Sequence, residues 1–182
     1  MDSEALRARQ APIKSKYRED PDSALFTLKA EGRLGEGLTC KVATGKGLVE
    51  AGLHSATGGD GLAACSGDML LEALVACAGV TLAAVASALE IPVRGGTVRA
   101  EGELDFRGTL AISKEVPVGF RSIRLMFEID ADATEEQLAS LIKLTERYCV
   151  IYQTIKTPPA TTATIKLGPP PDPGGLAARS RG

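Results

Sequence analysis

Tryptophan is absent from this 182-residue chain, and Tyr and Phe bring the aromatics to only 4%. Proteins that read single-stranded nucleic acid stack bases on aromatic rings, so no such platform is expected. Basic blocks are missing too. The 21 Lys and Arg are set against 23 Asp and Glu, and a net charge of −2 argues against tracking a phosphate backbone. No nucleic-acid partner is expected. Histidine occurs once, at His54, and Cys40, Cys65, Cys77 and Cys149 form no Cys-x-x-Cys pair. The usual zinc ligand sets therefore cannot be assembled, and no bound metal is expected. The opening residues, MDSEALRARQAPIK, lack the apolar core of a signal peptide. A cytoplasmic protein is expected, and in that reducing compartment a cysteine matters for reactivity rather than for static cross-links.

What is present is an ordinary globular composition, 44% apolar and 24% charged, long enough for one domain with a sizeable core. The chain is organised around Ser66–Leu89, SGDMLLEALVACAGVTLAAVASAL. Ala and Leu dominate it, Pro is absent, and Glu72 is the only charge after Asp68, which predicts a long helix. Ser66 or Asp68 is the expected N-cap, and Ile91-Pro92 the stop. The run is as long as a bilayer span. Its quality is wrong for one: Asp68 and Glu72 sit at one end, Ala, Ser, Thr and Gly dilute it, and no Lys or Arg cluster flanks it, so no membrane partner is expected. A helix apolar nearly all round needs cover on most sides, more than one small domain provides. A second copy would provide it, which predicts a symmetric homodimer.

Around that helix, residues 1–22 read as a charged N-terminal arm, 23–167 as the domain, and 168–182, GPPPDPGGLAARSRG in essence, as a disordered Pro/Gly-rich tail. Short strands are predicted at Leu25–Glu31, Leu38–Ala43 and Gly47–Leu53, broken by Gly35-Glu36-Gly37 and Thr44-Gly45-Lys46. The Gly-rich segment from His54 to Asp68 reads as a flexible connector. Period-two alternation predicts strands over Val98–Phe106 and Ile123–Ile129. Thr134 with Gln137 is a capping box that opens a helix reaching about Tyr148, with Leu138, Leu141, Ile142 and Cys149 on one stripe. Thr161–Leu167 is the last strand candidate. The order β-β-β-α-β-β-α-β is that of an α+β domain.

A thiol halfway along a buried helix is ordinarily a small core hydrophobe. Cys77 follows Asp68 and Glu72, and Cys149 follows Arg147, whose guanidinium would favour a thiolate. If the two sulfurs meet, one attacks and the other resolves. Spacing alone leaves core packing and redox chemistry both open. Cys40 reads as strand core, and Cys65 as part of an exposed loop.

SGDMLLEALVACAGVTL, followed by LTERYC with its Cys 72 residues after Cys77, resembles the osmotically inducible protein C and organic hydroperoxide resistance family. That family shows an acidic-then-leucine run such as PEELLLAAL, a Cys in the helix, and a later ER-x-CPV motif. The resemblance covers roughly residues 25–167. It implies an α+β, OsmC-like fold: an interwoven homodimer with two long central helices enclosed by two mixed-chain β-sheets. It further implies a thiol-dependent peroxidase, with Cys77 as the peroxidatic and Cys149 as the resolving cysteine. The substrate is a small organic hydroperoxide, favoured by apolar walls from Leu70, Leu74, Leu144, Tyr148 and Ile151. No cofactor is bound, and an external dithiol, dihydrolipoamide-like or on a lipoylated protein, resets the pair. For the family's activating Arg–Glu pair, the positions here are Arg33 or His54 for the Arg, and Asp68 or Glu72 for the Glu. The Pro after the family's second Cys is Val150. The alternative is a non-catalytic or redox-sensing OsmC-like protein that binds thiols or ligands.

Overall fold

The computed structural model describes residues 47–166 throughout, the strands 31–34 and 39–43 as backbone, and helical positions 4, 8, 11, 15 and 19. Most of the expected arm, the Pro/Gly-rich tail, residues 25–30 and both predicted hairpin turns lie outside the described residues. Strands β1 (Glu31–Leu34), β2 (Thr39–Ala43) and β3 (Leu48–Gly52) form an antiparallel run, with Arg33 opposite Lys41 and Cys40 opposite Ala51. The Gly-rich segment is folded, contrary to its reading as a flexible connector. It carries a 3-10 turn at Ser55–Thr57 and a two-residue strand β4 (Ala64–Cys65) parallel to β3. Two glycines make this possible. Gly58 takes the left-handed conformation at φ 93°, and a Cβ on Gly59 would lie 1.8 Å from the Leu53 carbonyl oxygen.

The central helix α1 runs from Ser66 to Ala88. Its N-cap is Cys65, without a side-chain capping bond, so neither Ser66 nor Asp68 caps it. Asp68 instead sits in the first turn, where a carboxylate complements the positive end of the helix. At the other end Ile91 N–H bonds the Ala86 carbonyl (2.9 Å) and Glu90 N–H the Ser87 carbonyl (3.2 Å), a Schellman closure. Glu90 stands at φ 59° there, a place usually given to glycine, and Pro92 prevents any continuation. Burial recurs every fourth residue, at Leu74, Ala78, Leu82 and Ala86. Among the described residues, full burial of the helix is confined to that face. Val80 is 73% exposed and Leu70 40%, so burial on most sides is not met by a single copy. Among the described residues α1 is the one helix long and apolar enough to cross a membrane, a test that the core helix of a soluble protein also passes.

Strands β5 (Val93–Glu103) and β6 (Ser122–Ala131) pair antiparallel, and Val98, Ala100, Ile123, Leu125 and Phe127 face α1. Their outer face carries exposed ion pairs, Arg99–Glu128 at 2.8 Å, Arg124–Glu101 at 3.0 Å and Arg94–Asp130. Such pairs contribute little each. The first of these strands ends earlier than its alternation predicted. Asp105 accepts from Arg107 N–H (3.1 Å) and caps a one-turn helix α2 (Phe106–Thr109), while the Arg107 guanidinium holds its carboxyl down to about 2.

Helix α3 (Glu135–Tyr148) starts at the predicted capping box, with Thr134 Oγ1 3.2 Å from Gln137 N and Gln137 Oε1 2.9 Å from Thr134 N. A further helix, α4 (Val150–Lys156), follows after one residue and was not anticipated. Residues 158–166, read as containing a final strand, have no regular structure here. The order is therefore β-β-β-β-α-β-α-β-α-α, still an α+β domain. Its core lies between the β5–β6 face, α1 and the α3–α4 corner.

Candidate active site

The α3–α4 corner is a single residue, Cys149. Its N–H still bonds the Thr145 carbonyl (2.9 Å), so it completes α3, but its ψ of 109° turns the chain away. Its carbonyl then accepts from Gln153 N–H (2.9 Å), and its sulfur accepts from Tyr152 N–H (3.5 Å), so it also caps α4. The Gln153 side chain donates back to the Glu146 carbonyl at 2.7 Å and ties the corner shut. Cys149 is fully buried, packed with Leu74 and Ala78 of α1.

Cys77 lies on the flank of the same stretch of α1, half-buried, and the corner is aimed at it. The first N–H groups of a helix have no partner within the helix. In α4 those of Val150 and Ile151, together with the Cys149 thiol, neighbour the Cys77 sulfur and favour its thiolate. The Thr81 hydroxyl, one turn along α1, donates to the Cys77 carbonyl at 2.8 Å and also favours the thiolate. Burial pushes the Cys77 thiol up. The donors from Ile151, Cys149, Val150 and Thr81 together outweigh it, and the net displacement is downward. Cys149 moves the other way, raised by its burial and by the neighbouring Cys77 sulfur. The corner thus sets a thiol displaced toward the thiolate beside one displaced the other way.

The remaining candidates are elsewhere. His54 caps the 3-10 turn through Nδ1, which accepts from Ala56 N–H at 3.0 Å, and its ring stacks on Phe106 with centroids 5.0 Å apart. Asp68 and Glu72 are exposed on the first turns of α1. Arg33 is placed by its backbone in β1, and its side chain lies outside the described residues. Of the described side chains, His54, Asp68 and Glu72 are not among the groups that move Cys77. Arg147, expected to favour a thiolate, is exposed and sits over the Tyr148 ring at 5.6 Å. Backbone N–H groups do that work instead. Cys65 is half-buried at the start of α1 rather than in an exposed loop, and the Cys40 side chain lies outside the described residues. Thr81, Tyr152 and the N–H donors of Val150 and Ile151 were missed from sequence. The available signal was the absence of Pro after Cys149, which leaves an N–H at position 150.

Two cavities flank the corner. One of about 570 Å³ is lined by Arg147, Tyr148, Cys149, Val150 and Gln153. The other, about 420 Å³, has an apolar wall that includes Leu70, Leu74, Tyr152 and Ile155, with Arg121 and Lys156 at its edge. Among the described residues, no three His, Cys, Asp or Glu side chains are grouped to hold a metal ion.

Residues 58–164 match the sequence profile of the OsmC family, described as OsmC-like protein. Among solved structures, an OsmC-like protein from Mycoplasma pneumoniae superposes with a TM-score of 0.61 at 17% identity, over 73% of this chain and 89% of that one. An organic hydroperoxide resistance protein OsmC from Legionella pneumophila gives 0.58 at 18% identity, over 74% and 92%. One from Elizabethkingia anophelis, with thiocyanate bound, gives 0.56 at 18%, over 74% and 91%. No curated protein sequence matches. At these identities the structural likeness speaks for the fold alone. The profile match covers more than half of the sequence, and on it the chain belongs to the OsmC-like protein family.

Proposed function

We propose that the protein is a thiol-dependent reductase of organic hydroperoxides. One observation carries the reading: Cys77 packs at the corner made by Cys149, where its neighbours displace the Cys77 thiol downward and burial displaces the Cys149 thiol upward. The Cys77 thiolate attacks the O–O bond, the alcohol leaves, and a sulfenic acid remains on Cys77. The Cys149 thiol condenses with it, water departs, and a Cys77–Cys149 disulfide forms. A dithiol of the dihydrolipoamide kind, free or on a lipoylated protein, returns both sulfurs to thiols by exchange. The apolar wall with Leu70, Leu74 and Tyr152 favours an organic substituent over hydrogen peroxide. The Legionella and Elizabethkingia proteins of this fold, both organic hydroperoxide resistance proteins, support the substrate class. The exposed apolar side of α1 supports an interwoven homodimer in which a second copy covers Val80 and Leu70. A cytoplasmic setting suits a cycle that needs reduced thiols.

A second reading, a redox-sensing or thiol-binding protein without turnover, draws on the absence of His54, Asp68 and Glu72 from the groups that move Cys77. Single-turnover oxidation separates the two. Rapid thiol loss with cumene hydroperoxide, slower loss with hydrogen peroxide, and multiple turnovers with dihydrolipoamide are expected of the enzyme. Cys77→Ser is expected to abolish consumption, and Cys149→Ser to consume one equivalent and stop. Equal consumption by wild type and Cys77→Ser ends the proposal.

A further inference from the structure

Among the described residues, one buried side-chain polar atom has no hydrogen-bond partner, the Thr145 hydroxyl. Thr145 is 0% exposed. A hydroxyl left so in a dry interior is destabilising, and its presence calls for a reason. Its position supplies one. Because Cys149 N–H bonds the Thr145 carbonyl at 2.9 Å, Cys149 keeps helical phase with Thr145, and the two side chains stand one above the other on the same buried face. The four-residue spacing sets the hydroxyl one helical turn from the Cys149 side chain.

The half-reaction that gives such a donor a task is reduction, and here the inference rests on the thiol cycle proposed above. Cys149 is fully buried, whereas Cys77 is partly exposed. A reductant thiolate therefore attacks the Cys77 sulfur. The S–S bond breaks with its electron pair on Cys149, and Cys77 is left in a mixed disulfide. The second reductant thiol then attacks its own partner sulfur, closes a cyclic disulfide, releases Cys77 as thiolate, and its proton ends on Cys149. The first of these steps creates an anion at the most buried sulfur of the site, where the donor shown is Tyr152 N–H at 3.5 Å. We propose that the Thr145 hydroxyl is a side-chain donor added to the backbone N–H groups near Cys149, unpartnered in the dithiol state and engaged when Cys149 departs as a thiolate.

Diamide forms the Cys77–Cys149 disulfide without any hydroperoxide, so the test stands apart from substrate assignment. Reduction of that disulfide by dithiothreitol is followed by stopped flow in wild type, Thr145→Val and Thr145→Ser. Thr145→Val is expected to be reduced about tenfold more slowly, the loss of one hydrogen bond to a charged acceptor. Thr145→Ser keeps the hydroxyl and is expected near the wild-type rate. A purely structural threonine predicts the reverse pattern: Thr145→Val melts higher and is reduced normally. A monothiol probe, mapped by mass spectrometry, is expected on Cys77. Wild-type reduction of Thr145→Val, failure of Thr145→Ser to rescue, the probe on Cys149, or no diamide disulfide at all overturns the proposal. Slow reduction of Thr145→Val in a protein that ignores hydroperoxides upholds it and removes the substrate assignment instead.

Discussion

The interface between α1 and α3 has two halves built on the same four-residue rhythm but filled differently. Toward the C-terminal end of α1, Leu82, Ala86 and Ile91 pack with Leu141. Every buried side chain of that cluster is hydrocarbon. Toward its middle, Leu74 and Ala78 pack with Cys149, beside Cys77 and the unpartnered Thr145. The first half contributes stability. The second accepts a desolvated thiol and an unsatisfied hydroxyl in the same environment, and gains two sulfurs with opposed acidities. Burial is common to both, and what separates them is the break at Cys149, which turns three backbone donors of a new helix toward the interface instead of toward water.

The comparison breaks most sharply in the hydrocarbon half. Leu141→Ala removes a fully buried side chain and is expected to cost about 2–5 kcal/mol, read as a lower midpoint in urea unfolding. In protein that remains folded, the pH profile of Cys77 alkylation is expected to stay in place. A moved profile would show that the halves are not separable.

Cys149→Ala tests the reactive half. It deletes the thiol that donates to Cys77, and a hydrogen bond to a charged acceptor is worth about 1.5–3 kcal/mol. The Cys77 midpoint for iodoacetamide is expected to rise, with slower alkylation at neutral pH. The same shift bears on folding. An acid with a depressed folded pKa favours the native state above its unfolded pKa, and that contribution fades as pH falls through the folded value. Cys77 acts in this sense. Cys149, raised by burial, disfavours the native state as pH climbs above the ordinary thiol range, so its removal is expected to flatten the alkaline loss of stability.

Val150→Pro is a finer cut. Proline is tolerated at the first position of a helix, where its fixed φ fits, but it has no N–H to offer Cys77. One of the several donors is lost, so the alkylation midpoint is expected to rise less than in Cys149→Ala while the melting temperature hardly changes. An unmoved midpoint would mean that the Val150 N–H does not reach the thiolate.

Much of this was legible in residues. The capping box at Thr134 and Gln137 fixed the start of α3, and period-two alternation located β5 and β6, because both signals are local. Cys77 and Cys149 were recognisable from their two flanking motifs together. The corner itself was not legible. Nothing in TERYCVIYQT marks a one-residue break, since Val, Ile and Tyr continue a helix as readily as they begin one, and α4 is set by tertiary packing of Ile151, Tyr152 and Ile155 near Cys77. The groups that tune Cys77 were sought among charged side chains, whereas the described neighbours that lower it are the Cys149 thiol, the Thr81 hydroxyl and two backbone N–H groups of a kind that every residue but proline carries. Glu90 escaped notice for a related reason. A left-handed terminus is normally announced by glycine, and here glutamate occupies it.

That position gives the smallest expected effect. Glu90 closes α1 at φ 59°, where its Cβ is crowded against its own backbone and glycine's is absent. The Schellman bonds from Ile91 and Glu90 N–H use backbone atoms only and survive substitution. Glu90→Gly therefore relieves strain in the native state, while giving the unfolded chain more freedom to lose. The first term is the larger at a left-handed site, and a net gain of about 0.5–1 kcal/mol is expected, or a melting temperature higher by about 2–4 °C. Because Glu90 lies beyond the hydrocarbon half of α1, neither half-reaction of the thiol pair is expected to change. Glu90→Ala keeps the Cβ and is expected to gain nothing. Equal stabilisation by both variants would assign the effect to the lost carboxylate rather than to the backbone.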